Sequence, residues 1–195
     1  IHKPISKEGK LHLEKVISAV YDRGEGKGAK INVDIIAKDG AGEPVFTNTM
    51  GYLNRWAGGF GGPKVPHSTV VIPEREADYQ IKDAYPENVP LLYRLTGDTY
   101  PLHADPAFAK KAGFDRPIVH GLCSLGYACR MMIGALFPGE PERMVSIENQ
   151  FRAVALPGDH FTLHVWKTGE NEAMFRMVKD SDGKAILDYG RMTWK

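Results

Sequence analysis

The sequence has little of what would place it in a specialised class. It contains only 2 cysteines in 195 residues, too few for a disulfide scaffold, which points to a reducing compartment. Cys123 and Cys129 would diverge around a shared helix rather than bridge. Charge of either sign is not in excess: 25 Lys and Arg face 24 Asp and Glu, for a formal net charge of +1. There is therefore no global basic field for nucleic acid and no acidic tail. No apolar run approaches the roughly 18 residues that cross a bilayer as a helix. The opening Ile1-His2-Lys3-Pro4 has neither an initiator Met nor an apolar signal segment, and the closing Met192-Thr193-Trp194-Lys195 is not an address of the Ser-Lys-Leu type. The expectation is a cytoplasmic protein without a membrane or nucleic-acid partner, with a peroxisomal location left open for a eukaryotic source.

What is present is an ordinary globular balance of 43% hydrophobic and 25% charged residues, enough for one domain or two small ones with a real core. Three strands are expected first, at 11–21, 29–37 and 44–53, with Ile31, Val33 and Ile35 on one face. Turns at Asp22-Arg23-Gly24 and Asp39-Gly40 make them an antiparallel meander that has no helix of its own. A glycine-rich break at 58–62 opens a proline-punctuated stretch, and residues 57–90 read as a linker. As a phosphate loop the glycine run is weak, since no Lys-Ser/Thr follows it.

The second half has a different pattern. Asp105-Pro106 is an N-cap followed by proline at the first helical position, and Gly113 closes that short helix. A longer helix is expected over 121–137, with Leu122, Leu125, Cys129, Met132, Ile133 and Leu136 as its apolar stripe. Gly121, Gly126 and Gly134 within it suggest close packing, because each costs about 1 kcal/mol against alanine. Four strands at 144–155, 161–167, 173–179 and 185–194 follow. A long helix with antiparallel strands after it suggests a helix wrapped by a curved sheet, an α+β fold.

The densest chemical cluster is Gly97-Asp98-Thr99-Tyr100-Pro101-Leu102-His103, followed by His120-Gly121-Leu122-Cys123. Pro101 keeps the chain between Asp98 and His103 from forming an α-helix, so a bent loop can aim both side chains into one cavity. A carboxylate and an imidazole within reach of one water form an acid–base pair. The same residues would equally serve as a turn aspartate and a hydrogen-bonded core histidine, and spacing does not separate the two. Gly121 at a helix start offers a free backbone N–H to a carbonyl oxygen. Cys123 in the first helical turn could form a Cys–His pair with His120. A metal set of His103, Asp105 and His120 matches no strong ligand spacing, and no metal is expected.

The continuous stretch from Tyr93 to Ala109, resumed from Ala112 to Cys123, resembles the hydratase 2 motif of the MaoC-like family of (R)-specific enoyl-CoA hydratases. Gly58–Gly62, Ile72-Pro73-Glu74-Arg75, and Phe151 with Pro157-Gly158 extend the resemblance over essentially the whole chain. It implies a double hot-dog fold: 1–56 as the last strands of an incomplete first repeat, 57–90 as linker, and 91–195 as the catalytic repeat. It implies reversible hydration of a trans-2-enoyl-CoA to a (3R)-3-hydroxyacyl-CoA in fatty acid β-oxidation, with no cofactor beyond the CoA thioester itself. The catalytic pair falls on Asp98 and His103, and the oxyanion amide on Gly121. Substrate-lining positions fall on Thr99, Tyr100, Pro101, Leu102 and Phe151. A basic residue that relatives carry after their second strand matches Arg23 and would meet a CoA phosphate. Tyr100 departs from the family's usual Asn, giving a bulkier ring and one hydroxyl in place of an amide. The resemblance also implies a homodimer, or a complementary chain that supplies the missing first half-repeat. A thioesterase, another acyl-CoA hydratase and a non-catalytic acyl-CoA-binding subunit remain as alternatives.

Overall fold

Three strands open the chain: β1 (His12–Asp22), β2 (Ala29–Lys38) and β3 (Pro44–Asn54), paired antiparallel in the order β1-β2-β3. The register sets Ile17 opposite Val33 and Val20 opposite Ile31, and on the other side Val33 opposite Met50 and Ile31 opposite Tyr52. One face is therefore apolar around Ile31 and Val33, while Ile35 has Lys15 and Asn48 opposite it. A shift of register between Ile17 and Ala19 keeps Val20 on that face despite the extra residue. Leu13, Ile17 and Met50 remain exposed.

The glycine run past β3 has a structural task. The Asp22 carboxylate is buried and accepts hydrogen bonds from the amides of Gly24, Gly59 and Gly61 at 2.8, 2.9 and 2.8 Å. The Asp22 amide donates to the carbonyl of Pro63 at 2.7 Å. Gly59 and Gly61 both have φ of +76°, a left-handed conformation that glycine adopts without cost. These amides hold the carboxyl below its usual range, the Gly24 and Gly59 bonds contributing most. The loop cradles an anion, but the anion belongs to the chain.

The computed structural model describes residues 1–66 and 69–195, and the chain divides into two units, Ile1–His67 and Ser68–Lys195. Residues 67 and 68, inside the stretch read as linker, lie outside the described residues. That stretch is not all connector: it contains β4 (Tyr79–Ala84), which pairs with a strand eighty residues later in the sheet of the second unit. Its alternation is short and flanked by prolines, which hides it from pattern reading.

The second unit builds a five-stranded antiparallel sheet from β4, β5 (Met144–Phe151), β6 (His160–Gly169), β7 (Glu172–Lys179) and β8 (Ala185–Trp194), in the order β4-β6-β7-β8-β5. The fifth strand stops at Phe151 rather than running to residue 155. Two short helices, α1 (Val89–Tyr93) and α2 (Pro106–Lys111), precede the long α3 (Gly121–Leu136). Alternate residues Phe161, Leu163 and Val165 on β6 and Ala173, Phe175 and Met177 on β7 are fully or almost fully buried. They share one core with Cys123, Ala128, Met131 and Met132 of α3. An α+β unit with its long helix lying on an antiparallel sheet is the hot-dog arrangement.

Of the expected stripe of α3, Met132 is buried and Leu125, Cys129, Ile133 and Leu136 pack against the core; only Leu122 departs. Cys123, Ser124, Ala128, Met131 and Met132 face the core, while Leu122 is 59% exposed. The small Ser124 and Ala128 are buried among these apolar side chains. Of the three helix glycines only Gly121 is pressed: a Cβ there would lie 3.1 Å from the Phe151 ring, whereas one at Gly126 or Gly134 meets nothing within 4 Å.

Candidate active site

The loop from Gly97 to Ala104 presents the acid–base residues. A 3₁₀ turn over Arg94–Thr96 ends at Gly97 with φ of +115°, and a second over Pro101–His103 ends the loop. Asp98 lies between them, 45% exposed, with one carboxylate oxygen accepting from the Tyr100 amide at 3.2 Å. The His103 ring Nδ1 lies 2.9 Å from the carbonyl oxygen of Ile118. A carbonyl only accepts, so Nδ1 carries the hydrogen, and in a neutral ring the lone pair is on Nε2.

The third member is His120, at the N-cap of α3. It is 2% exposed, and neither ring nitrogen has a hydrogen-bond partner. Its ring stacks on His103 with centroids 3.7 Å apart and lies 4.5 Å from the Tyr93 ring. Its Nε2 is 4.0 Å from an Asp98 oxygen, beyond hydrogen-bond range. Burial, then the neighbouring His103, pushes the His120 pKa below its ordinary value, with Asp98 opposing. Asp98, His103 and His120 each offer one atom within 4.8 Å of the others. One water molecule can touch all three.

The start of α3 borders this group. The His120 side chain does not cap the helix, which leaves first-turn amides, Gly121 foremost, without a side-chain acceptor. The exposed Phe151 ring stands against Gly121. Tyr100 is half exposed and edge-on to Phe108, with centroids 5.5 Å apart. Its centroid is 6.3 Å from that of His103. His103 also lines a cleft of about 220 Å³ together with Leu91, Ala104, Arg116 and Pro117 among others. Arg116 donates to the carbonyl of Pro157 and lies 3.7 Å from the Glu87 carboxylate.

Several expectations are corrected here. Asp105 is spent on capping α2, accepting from the amides of Ala107 and Phe108 at 2.8 and 3.2 Å, so it does not join the two histidines; Asp98 does. Cys123 is no activated thiol: burial pushes its pKa up to about 11, overriding any help from the helix start. Arg23 follows β1 and turns its guanidinium onto the carbonyl of Lys27 at 3.0 Å; it belongs to the first unit. Thr99 and Pro101 are exposed and Leu102 is half-buried in the same loop. What sequence reasoning left out of the acid–base group is the His120 side chain. The signal was a second histidine placed where a helix begins.

No described helix is long and apolar enough to cross a membrane. Residues 68–188 match the MaoC like domain family. The chain is 34% identical over 184 residues to "Enoyl-CoA hydratase ChsH3" of Mycobacterium tuberculosis, covering 94% of this chain and 64% of that protein. It is 35% identical over 187 residues to "Probable enoyl-CoA hydratase 2" of Dictyostelium discoideum, covering 94% and 63%. The chain thus spans a little under two thirds of these relatives. Among solved structures, a MaoC-like dehydratase from Phytophthora capsici superposes with a TM-score of 0.82 at 32% identity, over 95% of this chain and 64% of that one. Sequence match and superposition agree with the hot-dog core and its loop: the chain belongs to the MaoC-like domain family.

Proposed function

We propose that the chain hydrates trans-2-enoyl-CoA thioesters reversibly to (3R)-3-hydroxyacyl-CoA, with 91–195 as the catalytic repeat and 1–56 as strands of a partial first repeat. The observation that carries this is that one polar atom each of Asp98, His103 and His120 lies within 4.8 Å of the others, beside the uncapped start of α3.

The thioester oxygen accepts from the Gly121 N–H. This draws electron density from C3 and stabilises the negative charge that builds on the oxygen as water adds. His103 Nε2 takes a proton from water as the water oxygen bonds to C3. A proton returns to C2 on the same face through the Asp98–His103 pair, so the elements of one water are added in full. The Tyr93 and His120 rings close one side of the pair, and Phe151 stands over the oxyanion amide. Thr99, Tyr100, Pro101 and Leu102 shape the loop beside the acyl group, Tyr100 narrowing it where the family usually has Asn. Arg23 is proposed to meet a CoA phosphate, and a second copy or a complementary chain to complete the first repeat. The hydration needs no redox cofactor, because no electrons are exchanged.

The test is incubation with crotonyl-CoA and with a long-chain enoyl-CoA. Enoyl absorbance should fall and the product should be the 3R alcohol. Release of free CoA thiol would instead indicate a thioesterase, and binding without turnover a non-catalytic subunit.

A further inference from the structure

His120 is sealed from water beside the acid–base pair, with both ring nitrogens unpartnered. Buried polar atoms without partners are costly, so their presence calls for a reason. The ring is held by its face: it stacks on His103 with centroids 3.7 Å apart and 23° between the planes, and it lies 4.5 Å from the Tyr93 ring. Stacked imidazoles direct their nitrogens along the ring planes, so His120 does not bond to His103 and its partner must lie at its rim. There its Nε2 is 4.0 Å from Oδ2 of Asp98. Burial, then His103, favours the neutral ring, while Asp98 opposes them through its charge and its backbone. A neutral imidazole carries one N–H and an ionised carboxylate only accepts. The Nε2–H tautomer of His120 is therefore the one that suits Asp98.

The gap is about 1 Å longer than an ordinary N–H···O bond, and Asp98 is the side free to close it. Its side chain is 45% exposed, its Oδ1 takes the Tyr100 amide at a long 3.2 Å, and it follows Gly97, whose φ is +115°. We propose that His120 is a positioning residue: when an acyl-CoA covers the loop, the Asp98 carboxylate moves inward and accepts a hydrogen bond from the His120 Nε2–H, while the face of the same ring keeps His103 in place. One side chain then sets the spacing of both acid–base groups. Covering the loop removes the water that competes for the exposed carboxylate, which strengthens the bond. Hydrogen bonds of this kind are often long in the free protein and tighten with substrate. Oδ2 keeps a second lone pair for the reacting water. The inference rests on the hydratase reading and adds to it the residue that orients Asp98.

The experiment compares His120→Gln, which carries an amide nitrogen towards the Nε2 position without the ring, with His120→Phe, which keeps the ring without a nitrogen. In steady-state hydration of crotonyl-CoA, His120→Phe should lower kcat about 10–100-fold, the worth of one hydrogen bond to a charged group. KM should change little, and His120→Gln should be the more active of the two. A His120→Phe chain as active as His120→Gln or wild type reduces His120 to packing and overturns the proposal. Should either variant fail to fold, wild-type chain with ¹⁵N-labelled histidine decides the matter by NMR. Crotonyl-CoA should bring up a slowly exchanging, downfield ring N–H signal that is absent from Asp98→Ala; no such signal overturns the proposal. Hydration without that signal leaves the hydratase reading standing and removes the role of His120. The signal without hydration keeps the contact with Asp98 and removes the hydratase reading.

Discussion

Replacing Gly121 with alanine separates the proposed chemistry from stability. Gly121 is the first residue of α3 and has no left-handed φ that alanine could not adopt. Its new Cβ would lie 3.1 Å from two carbons of the Phe151 ring, about 0.3 Å inside ordinary contact. That ring is 52% exposed and can turn away at an off-rotamer cost of about 0.5–1.5 kcal/mol. Alanine returns up to about 1 kcal/mol of helix propensity. The two nearly cancel, so the melting temperature should move by no more than about 2–4 °C for a chain of this size. Activity should respond differently. The N–H survives, but the methyl enters the gap between helix and ring through which a thioester oxygen must approach. Loss of one oxyanion donor costs about 10²–10³ in kcat, and a fall of about 10² in kcat/KM for crotonyl-CoA is expected. Truncating Phe151 to alanine in the same chain should restore part of it. Thermal melts and steady-state hydration measure both. Undiminished kcat/KM in Gly121→Ala would refute the role of this amide, and a loss of several kcal/mol in stability would refute the steric reasoning.

Asp98→Asn and His103→Gln should each lower kcat by at least about 10² with an unchanged circular dichroism spectrum; near-normal turnover in either removes the pair from the mechanism. Gly190 lies opposite Phe175 in the sheet, and a Cβ there would meet three carbons of that fully buried ring at 2.6 Å. Gly190→Ala should therefore cost about 1–3 kcal/mol, measured by urea unfolding. Phe175→Leu in the same chain should recover part of that. Asp78 accepts two hydrogen bonds from Arg75 and one from the Lys167 amide. The Arg75 pair, then the amide, hold its pKa at about 2 against 3.8 for a free carboxyl. The bonds favour the ionised form, so their contribution is complete above pH 4 and is lost as pH falls through about 2. Urea titrations of wild type and Asp78→Asn should diverge most above pH 4 and converge towards pH 2.

The sequence shows more of this molecule where local rules act alone. Asp105-Pro106 caps α2 through its own side chain and needs nothing distant. Ile31, Val33 and Ile35 declare their face by alternation. The edge strand β4 was hidden because it is short, lies among prolines and takes its identity from a partner far along the chain. The inward face of α3 was legible through Leu125, Cys129, Met132, Ile133 and Leu136, but a hydrophobicity count passes over the buried Ser124 and Ala128 and favours the exposed Leu122. Within the candidate site, the loop that carries Asp98 and His103 was legible from glycine and proline placement. The stacking of His120 was not, since it depends on where the α3 start is carried in space. The elevated pKa of Cys123 is likewise a property of the assembled core.

The carboxylate of Asp22, ringed by the amides of Gly24, Gly59 and Gly61, makes the glycine loop self-ligated. Its donors are not idle, so the run of glycines is no vacant phosphate cradle. Exchange of Asp22 for glycine would remove the internal counter-ion and leave three amides converging on a space of carboxylate size. Formate or acetate from solution should then restore thermal stability in proportion to concentration, a small molecule standing in for a missing side chain.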